Sequence, residues 1–211
     1  RPDGHRSLRK HFMKVFILRA RTGPTTPDQV DQSFGEPRHL EIVCHSIANA
    51  LFISKDIRPD VQFYVVLEGP GDPSKTIGLR TDGLFWIGGF SETAIAAVIK
   101  RALASSLDLR KDQTIEIEKG LTVSRLSFER LVRRIGDEHP LYILSKRGID
   151  IRDAKLPDNP CFIFTDHIPM QKNTMHLLKR LGTKKIGLGP RMLFASHCIT
   201  LVHNELDRTG R

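Results

Sequence analysis

The chain has 211 residues, and its 33 lysines and arginines outnumber its 24 aspartates and glutamates, which gives a formal net charge of +9. Such an excess of positive charge favours a polyanionic partner, and a chain of this length can bury a sizeable core without disulfides or structural metals. No apolar run approaches the length of a transmembrane helix, about 18 residues, so a membrane-spanning helix is excluded.

The cysteine content argues against metal and disulfide chemistry. Cys44, Cys161 and Cys198 are the three cysteines, and none of them belongs to a CxxC pair. We therefore expect neither a zinc site nor a disulfide framework, and we predict a protein of the reducing cytoplasm. No metal ligands are predicted, because His167 and His197 lack the neighbouring ligands that a metal site needs.

The N-terminal segment differs from the rest of the chain. Residues 1–12 contain four basic residues and one acidic residue, and a strand pattern begins directly after Met13. We interpret residues 1–12 as a disordered basic arm or as residues that precede the natural start. Residues 13–211 are predicted to form a single domain, and they still carry a positive excess.

Apolar periodicity predicts alternating strands and helices from residue 14 onward. Short β-rich apolar runs predict strands at residues 14–20, 61–68, 75–80, 85–87, 121–126, 141–144, 161–165 and 184–187. Apolar residues that recur with a period of 3.6 predict helices at residues 39–52, 91–103, 128–135, 171–181 and 191–207. The alternation predicts an α/β fold with a mostly parallel sheet covered by helices.

Several common catalytic signatures are absent. The sequence contains neither a GxxxxGK[ST] phosphate loop nor a GxGxxG motif after its first strand, which argues against the usual nucleotide-binding folds. The GxSxG and HExxH motifs are also missing, which argues against the corresponding hydrolases and zinc proteases. The residues with chemical potential are instead concentrated near the C-terminus.

Two predicted strands end in residues that suit a binding site. Thr165, Asp166 and His167 follow one strand, and Gly-Leu-Gly-Pro at residues 187–190 follows the next. Because ligands bind at the carboxyl ends of strands in open α/β sheets, these residues and the start of the last helix predict one pocket. Both stretches also fit ordinary turns, in which aspartate and glycine are frequent. Cys198 falls on the apolar stripe of the last helix, which favours a core position.

Taken together, these stretches resemble a known family of RNA-modifying enzymes. FTDHIP (residues 164–169) and KKIGLGPRMLFASHCITLVHNELD (residues 184–207) are similar to the tRNA pseudouridine-54 N1-methyltransferase family and its bacterial relatives in the SPOUT superfamily. FILRA in the first strand and LFISKDIRPDVQFYVVLEG in the middle of the chain extend the resemblance from about Lys14 to Asp207. The resemblance implies a SPOUT-type α/β fold with a C-terminal trefoil knot.

The family binds S-adenosylmethionine in a cleft made by the knot loops, so the resemblance implies the same cofactor here. The cofactor-binding residues that it implies are Leu144, Thr165, Leu188, Gly189, Pro190, Arg191, Met192, Leu193 and Cys198. Thr165 departs from the family pattern, since archaeal members typically have glycine before Asp-His. A sulfonium methyl donor needs no metal, so orientation of the nucleophile and the methyl group is the main demand on the protein.

The reaction implied by the resemblance is methyl transfer to N1 of a pseudouridine in tRNA. A nearby carboxylate helps N1 to lose its proton. Asp60 is the first candidate base or base-orienter, because Arg58-Pro59-Asp60 resembles the family's Arg-x-Asp. Arg58 is expected to hold a phosphate or the uracil carbonyl, and Asp166 is the alternative base. A surface ion pair is the alternative interpretation of Arg58 and Asp60.

The partners implied are RNA, with tRNA as the expected class, and a second copy of the chain. Members of this superfamily are generally homodimers, with the C-terminal helix near the interface. The residues expected to hold RNA are Arg130, Arg133, Arg134, Lys179, Arg180, Lys184, Lys185 and Arg191. Two alternatives stay open: a methyltransferase that acts on another base or ribose of tRNA or rRNA, and a knotted RNA-binding factor without catalysis.

Overall fold

The computed structural model describes residues 13–83 and 87–210. Residues 1–12, interpreted above as a basic arm, lie outside the described residues. So do residues 84–86, which include most of the strand predicted at residues 85–87. Within the described ranges, no helix is long and apolar enough to cross a membrane.

Strands and helices alternate along much of the described chain. The strands are β1 (Lys14–Ala20), β2 (Phe52–Ile53), β3 (Asp56–Ile57), β4 (Val61–Leu67), β5 (Lys75–Arg80), β6 (Thr114–Glu118), β7 (Leu121–Ser124), β8 (Leu141–Asp150), β9 (Cys161–Thr165) and β10 (Lys184–Gly187). The helices are α1 (Leu40–Leu51), α2 (Glu92–Ala104), α3 (Phe128–Gly136), α4 (Lys172–Arg180) and α5 (Ala195–Arg208). Ser91 and Ser127 cap α2 and α3, because each side-chain oxygen accepts the backbone N–H three residues later.

The main sheet combines a parallel block with an antiparallel extension. Its strand order is β10-β8-β9-β1-β4-β5-β7-β6. Neighbours from β10 to β4 run parallel, whereas β5, β7 and β6 are added in antiparallel pairs. The predicted α/β fold with a mostly parallel sheet is confirmed.

Helices cover both faces of the parallel block. Apolar residues of α1, α2 and α5 share one core with Phe16 and Leu18 of β1. Apolar residues of α3 and α4 share the other core with Val15 and Ile17 of the same strand. Successive side chains of a strand point to opposite faces, so β1 is buried along its whole length between the two helical layers.

The differences from the predictions that bear on the sheet and the site concern β6, β8 and α5. β6 has no counterpart among the predicted strands, because its isoleucines alternate with glutamates and it lies at the edge of the sheet. β8 continues to Asp150, beyond the predicted end at residue 144. The predicted helix start at residue 191 is wrong: α5 begins at Ala195, because the extended backbone of Phe194 (ψ 152°) precedes its first turn.

A buried arginine joins the layers at the carboxyl end of β1. The side chain of Arg19 is 8% exposed and pairs with Glu68, with 2.8 Å between Nε and Oε2. Its Nη1 donates to the Thr174 hydroxyl of α4 at 2.7 Å, and its guanidinium lies 4.6 Å from the centre of the Phe128 ring of α3. Because a buried cation is costly without partners, this cluster ties the α3–α4 layer to the sheet.

A buried histidine of α5 packs in the opposite layer. The His203 ring centre lies 4.7 Å from that of Phe16, and Nε2 is 3.0 Å from the carbonyl oxygen of Ala50. Since a carbonyl only accepts hydrogen bonds, Nε2 carries the proton of the neutral ring. Burial, reinforced by the charge of Arg58, lowers the pKa of His203 to about 3.

The lowered pKa of His203 makes folding stability depend on pH. The unfolded chain, with a histidine pKa of 6.5, binds a proton that the folded chain accepts only near pH 3. The stabilisation that neutral His203 provides is therefore complete well above pH 6.5 and decreases as the pH falls. Between pH 7.5 and pH 5, this loss lowers the free energy of unfolding by about 2 kcal/mol.

Denaturant unfolding of the wild type and His203→Gln at both pH values measures this contribution. Glutamine keeps an N–H donor for Ala50 but does not titrate, so we expect a smaller pH-dependent loss in the variant. An equal loss in both proteins would contradict the assignment.

Candidate functional site

A cavity of about 790 Å³ opens at the carboxyl edge of the parallel strands. It lies where β9 ends and where β8 meets β10, and the loop after β10 and the first turn of α5 complete its wall. Ligands commonly bind at this edge of an open α/β sheet. The volume falls within the range of small-molecule sites, about 300–1,000 Å³. This is the edge at which the sequence predicts a pocket.

A break in β8 helps to build the cavity. The pairing of β8 with β10 shifts register between Lys185 and Ile186, so residues 144–148 leave the ladder. A Cβ on Gly148 would come within 2.5 Å of the Ile186 backbone, so only glycine fits where β8 returns to β10. The excursion brings Leu144 to the cavity wall.

The cavity gathers most of the residues that the resemblance implies for cofactor binding. Those on its wall are Leu144, Thr165, Leu188, Gly189, Arg191, Met192, Leu193 and Cys198, whereas Pro190 is not on the wall. Lining residues that the sequence analysis did not single out are Ile42, Ile143, Ser145, Lys146, Ile163, Phe164, Pro169, Met170, Met175, Phe194 and Ala195. Strand alternation could have indicated Ile143 and Ile163. No local sequence pattern places Ile42 at the cavity, because it belongs to α1, which is far in sequence from the strand ends.

The loop between β10 and α5 presents unpaired backbone groups near the cavity. In the part of the chain that the structure describes, the N–H groups of Leu188, Gly189, Arg191, Met192 and Leu193 donate no hydrogen bond. Gly189 has a φ of 111°, which favours glycine, and no atom lies within 4 Å of the Cβ position there. Free backbone donors beside apolar leucines suit a flat heterocycle with a polar edge.

Polar side chains fix the turn that follows β9. The two carboxylate oxygens of Asp166 accept N–H bonds from Arg21 and Ile168, each at 2.9 Å. The Thr165 hydroxyl donates to the carbonyl oxygen of Ile168. The side chain that departs from the family pattern therefore stabilises the turn. Asp166 is both a turn residue and a fixed carboxylate on the cavity wall.

The other titratable groups of the wall have distinct environments. Burial raises the pKa of Cys198 to about 11, which favours the protonated thiol at neutral pH. The exposed His167 ring lies 4.7 Å from that of His39, whose Nδ1 is 2.8 Å from Glu41. Among the described residues, no group of three or more histidine, cysteine or carboxylate side chains is placed to hold a metal ion.

Asp60 and Arg58 lie at the opposite edge of the sheet from the cavity. Asp60 precedes β4 and pairs with Lys14 at the start of β1, at 2.9 Å. Arg58 makes two 2.8 Å hydrogen bonds to the carboxylate of Asp207 near the end of α5. Because β1 and β4 begin together, roughly 20 Å of strand separates this edge from the cavity. Neither Asp60 nor Arg58 lines the cavity of the same chain. Both form ion pairs, as in the alternative interpretation, and their catalytic role stays a prediction.

The fold also divides the predicted RNA-binding residues. Lys185 and Arg191 line the cavity, and Arg130 pairs with Asp112. The others lie in the last turns of α3 and α4 and at the start of β10, towards the opposite edge: Arg133, Arg134, Lys179, Arg180 and Lys184.

Sequence comparison identifies the family. Residues 13–211 match the family described as "Putative SAM-dependent RNA methyltransferase". The chain belongs to this family. A protein of Vibrio parahaemolyticus named "Putative pseudouridine methyltransferase" is 48% identical over 195 residues, which cover 92% of this chain and 98% of that protein. A protein of Shewanella frigidimarina with the same name is 45% identical, with the same coverage of 92% and 98%.

Structural comparison supports the fold. The structure of Archaeoglobus fulgidus Nep1 bound to S-adenosylhomocysteine matches with a TM-score of 0.60 and 12% sequence identity, over 94% of this chain and 98% of that chain. At this identity the likeness concerns the fold alone, and it supports the predicted α/β architecture. The methyltransferase family acts on RNA, and its cofactor is S-adenosylmethionine.

The residues of the cavity fit this cofactor. Leu188 and Leu193 offer apolar surface to an adenine ring, and the free N–H groups between them offer donors to its polar edge. Asp166 offers a negative charge that favours a sulfonium cation. The cavity therefore has the groups needed to bind S-adenosylmethionine.

Substitution of Gly189 tests this fit. We expect Gly189→Val to weaken S-adenosylhomocysteine binding at least tenfold, because a β-branched residue does not hold a φ of 111° and the loop must move. Isothermal titration calorimetry measures the affinity. Gly182→Val is the matched control, since Gly182 also has a positive φ (74°) and open space around it, but lies after α4 and outside the cavity. Equal affinities in the two variants would show that the loop does not bind the cofactor.

Proposed function

We propose that this protein transfers the methyl group of S-adenosylmethionine to N1 of a pseudouridine in tRNA. The observation that carries the proposal is the cavity at the carboxyl edge, where residues that fit the cofactor adjoin a fixed carboxylate. Relatives at 44–48% identity carry the name "Putative pseudouridine methyltransferase", which supports the choice of target base.

The proposed reaction needs orientation of the nucleophile and a group that accepts its proton. Bound S-adenosylmethionine supplies the activated methyl group. We assign to Asp166 the role of accepting the proton from N1, since it is the carboxylate on the cavity wall. Its bonds from Arg21 and Ile168 hold the carboxylate in place, so no reorganisation is required when the proton moves.

A base can reach this cavity only when it leaves its stack in the RNA. Phe194 is 62% exposed directly before α5 and lies on the cavity wall, with the His197 ring 5.7 Å away. Aromatic side chains of this kind stabilise splayed bases by stacking. We propose that Phe194 stacks on the target base or on its neighbour.

The α4 surface supports the choice of a structured RNA. α4 contains Lys172, Lys179 and Arg180 and no acidic residue, and all three are exposed. Lys172 begins the helix after the β9 turn, whereas Lys179 and Arg180 end it near the opposite edge. An RNA that places a base in the cavity and also contacts these residues must extend along the helix, as a folded tRNA can.

The proposal includes the homodimer, the C-terminal knot and the cytoplasmic location that the sequence analysis predicts. Leu201 of α5 is 38% exposed and does not belong to the core that α5 shares with α1, which supports a partner surface. The close approach of Ile186 to Gly148 supports a knotted C-terminal region. The free thiols of Cys44, Cys161 and Cys198 are compatible with a reducing compartment.

Methylation of defined RNAs tests the reaction. We expect methyl transfer to a tRNA that contains pseudouridine and none to the same tRNA with uridine at that position, because only pseudouridine has a free N1–H. Mass spectrometry of the digested nucleosides should identify N1-methylpseudouridine, which should also disappear from tRNA of a strain without the protein. Methylation of another base or of a ribose would establish the first alternative, and failure to bind S-adenosylmethionine or its product would establish the non-catalytic one.

Two carboxylate variants test the assignment of Asp166. Asp166→Asn should reduce transfer at least a hundredfold while the folded protein still binds S-adenosylhomocysteine. Asp60→Asn is the matched control at the opposite edge of the sheet, and it should keep wild-type turnover per folded molecule. Loss of turnover in Asp60→Asn alone would reverse the two assignments. Circular dichroism separates folding defects from catalytic ones.

Salt dependence of RNA binding tests the α4 surface. Replacing Lys179 and Arg180 together by glutamine should weaken tRNA binding and reduce the slope of log K against log salt by about two, since two phosphate contacts are lost. Filter binding at several salt concentrations measures the slope. Replacing exposed Lys111 and Lys119, near β6 at the far edge of the sheet, removes the same charge. An equal effect of that control pair would show that only net charge matters.

A further inference from the structure

The cavity has a second compartment on the α3–α4 side of the sheet. Ile143 and Ile163 belong to the core shared with α3 and α4, and Met170 and Met175 pack against that core. All four also line the cavity. Leu188 and Cys198, by contrast, pack against the core of α1 and α5. The cavity therefore reaches both faces of the sheet at the edge where β8 and β9 meet.

β10 supplies a charged residue, Lys185, to this compartment. It pairs in register with Ile143 of the neighbouring parallel strand, so both side chains point to the α4 side. Lys185 is exposed, lines the cavity, and makes no ion pair with another described residue. Lys184, one position earlier, points to the other face and does not line the cavity.

We propose that the compartment formed by Ile143, Ile163, Met170, Met175 and Lys185 binds the methionyl tail of S-adenosylmethionine, and that the Lys185 ammonium pairs with its carboxylate. The tail is a short aliphatic chain that ends in an α-ammonium and a carboxylate. The apolar wall is complementary to the chain, and the unpaired Lys185 is complementary to the carboxylate. The adenosine then lies in the compartment of Leu188 and Leu193, across the sheet edge.

Lys185 then belongs to the cofactor site rather than to the RNA surface. In the sequence it belongs to a basic run that suits phosphate contacts, but Lys185 lines the cavity, whereas Lys179 and Arg180 do not. The proposal rests on the methyltransferase function for its choice of ligand. Its test uses cofactor binding without RNA, so the identity of the methylated base does not affect the result.

Two ligands and two variants test the proposal. S-adenosylhomocysteine carries the amino-acid tail, whereas 5′-methylthioadenosine lacks it and keeps the adenosine and the sulfur. Calorimetry should show that Lys185→Gln weakens S-adenosylhomocysteine about tenfold, because a charge-assisted hydrogen bond is lost. The affinity for 5′-methylthioadenosine should change less than twofold. Lys184→Gln, with the same charge change on the same strand, should leave both affinities within twofold of the wild type.

Three results would overturn the proposal. Equal weakening of both ligands by Lys185→Gln would place Lys185 beside the adenosine or show general damage to the cavity. Unchanged S-adenosylhomocysteine binding together with weaker tRNA binding would return Lys185 to the RNA surface. Equal effects of Lys184→Gln and Lys185→Gln would show a nonspecific charge effect. Failure of the proposed function has a different signature: the wild type would bind neither ligand, or it would bind both without transfer to pseudouridine.

Discussion

The ion pair and hydrogen bonds around Arg19 hold the edge on which the cavity depends. The guanidinium is bonded to Glu68 after β4 and to Thr174 of α4, and it also contacts a ring of α3. Because removing one partner of a buried ion pair costs about 3 kcal/mol or more, these elements cannot shift independently. The backbone of the same residue accepts the N–H of Asp166, in a ladder where Arg19 pairs with Thr165. The buried cluster therefore also holds in place the turn that forms one wall of the cavity.

The sequence predicts the elements whose environment is uniform and misses those that depend on contacts with distant residues. β1 and β9 are buried throughout the parallel block, so continuous apolar runs identify them. The excursion of residues 144–148 has no such pattern, because it exists only where β10 passes Gly148. The start of α5 is misplaced for a similar reason: Pro190 suits a first helical turn, but the chain ahead of Ala195 borders the cavity in a loop. Resemblance, rather than periodicity, identifies that loop as part of a site.

The position of Asp60 depends on which end of a parallel strand it borders. Polar residues that follow a parallel strand gather at the carboxyl edge, which correctly groups Thr165 with the loop after β10. Asp60 and Arg58 precede a strand, so the same rule puts them at the amino edge, where each forms an ion pair. The resemblance implies a catalytic role for Asp60, but within one chain Asp60 does not line the cavity. Asp166, by contrast, follows β9 and lies on the cavity wall.

Net charge overstates the surface that this protein offers to RNA. Lys14 and Lys75 are 4% and 1% exposed and pair with aspartates, so they add to the formal charge without being available to a ligand. Lys185 lines the cavity, where the chemistry of the wall favours a small carboxylate over a phosphate backbone. The exposed positive charge that remains includes the two ends of α4, a helix of nine residues that spans about 13 Å. A mononucleotide in the cavity cannot contact the far end of that helix. The proposed preference for structured RNA over free nucleotides therefore depends on where the charges lie rather than on how many there are.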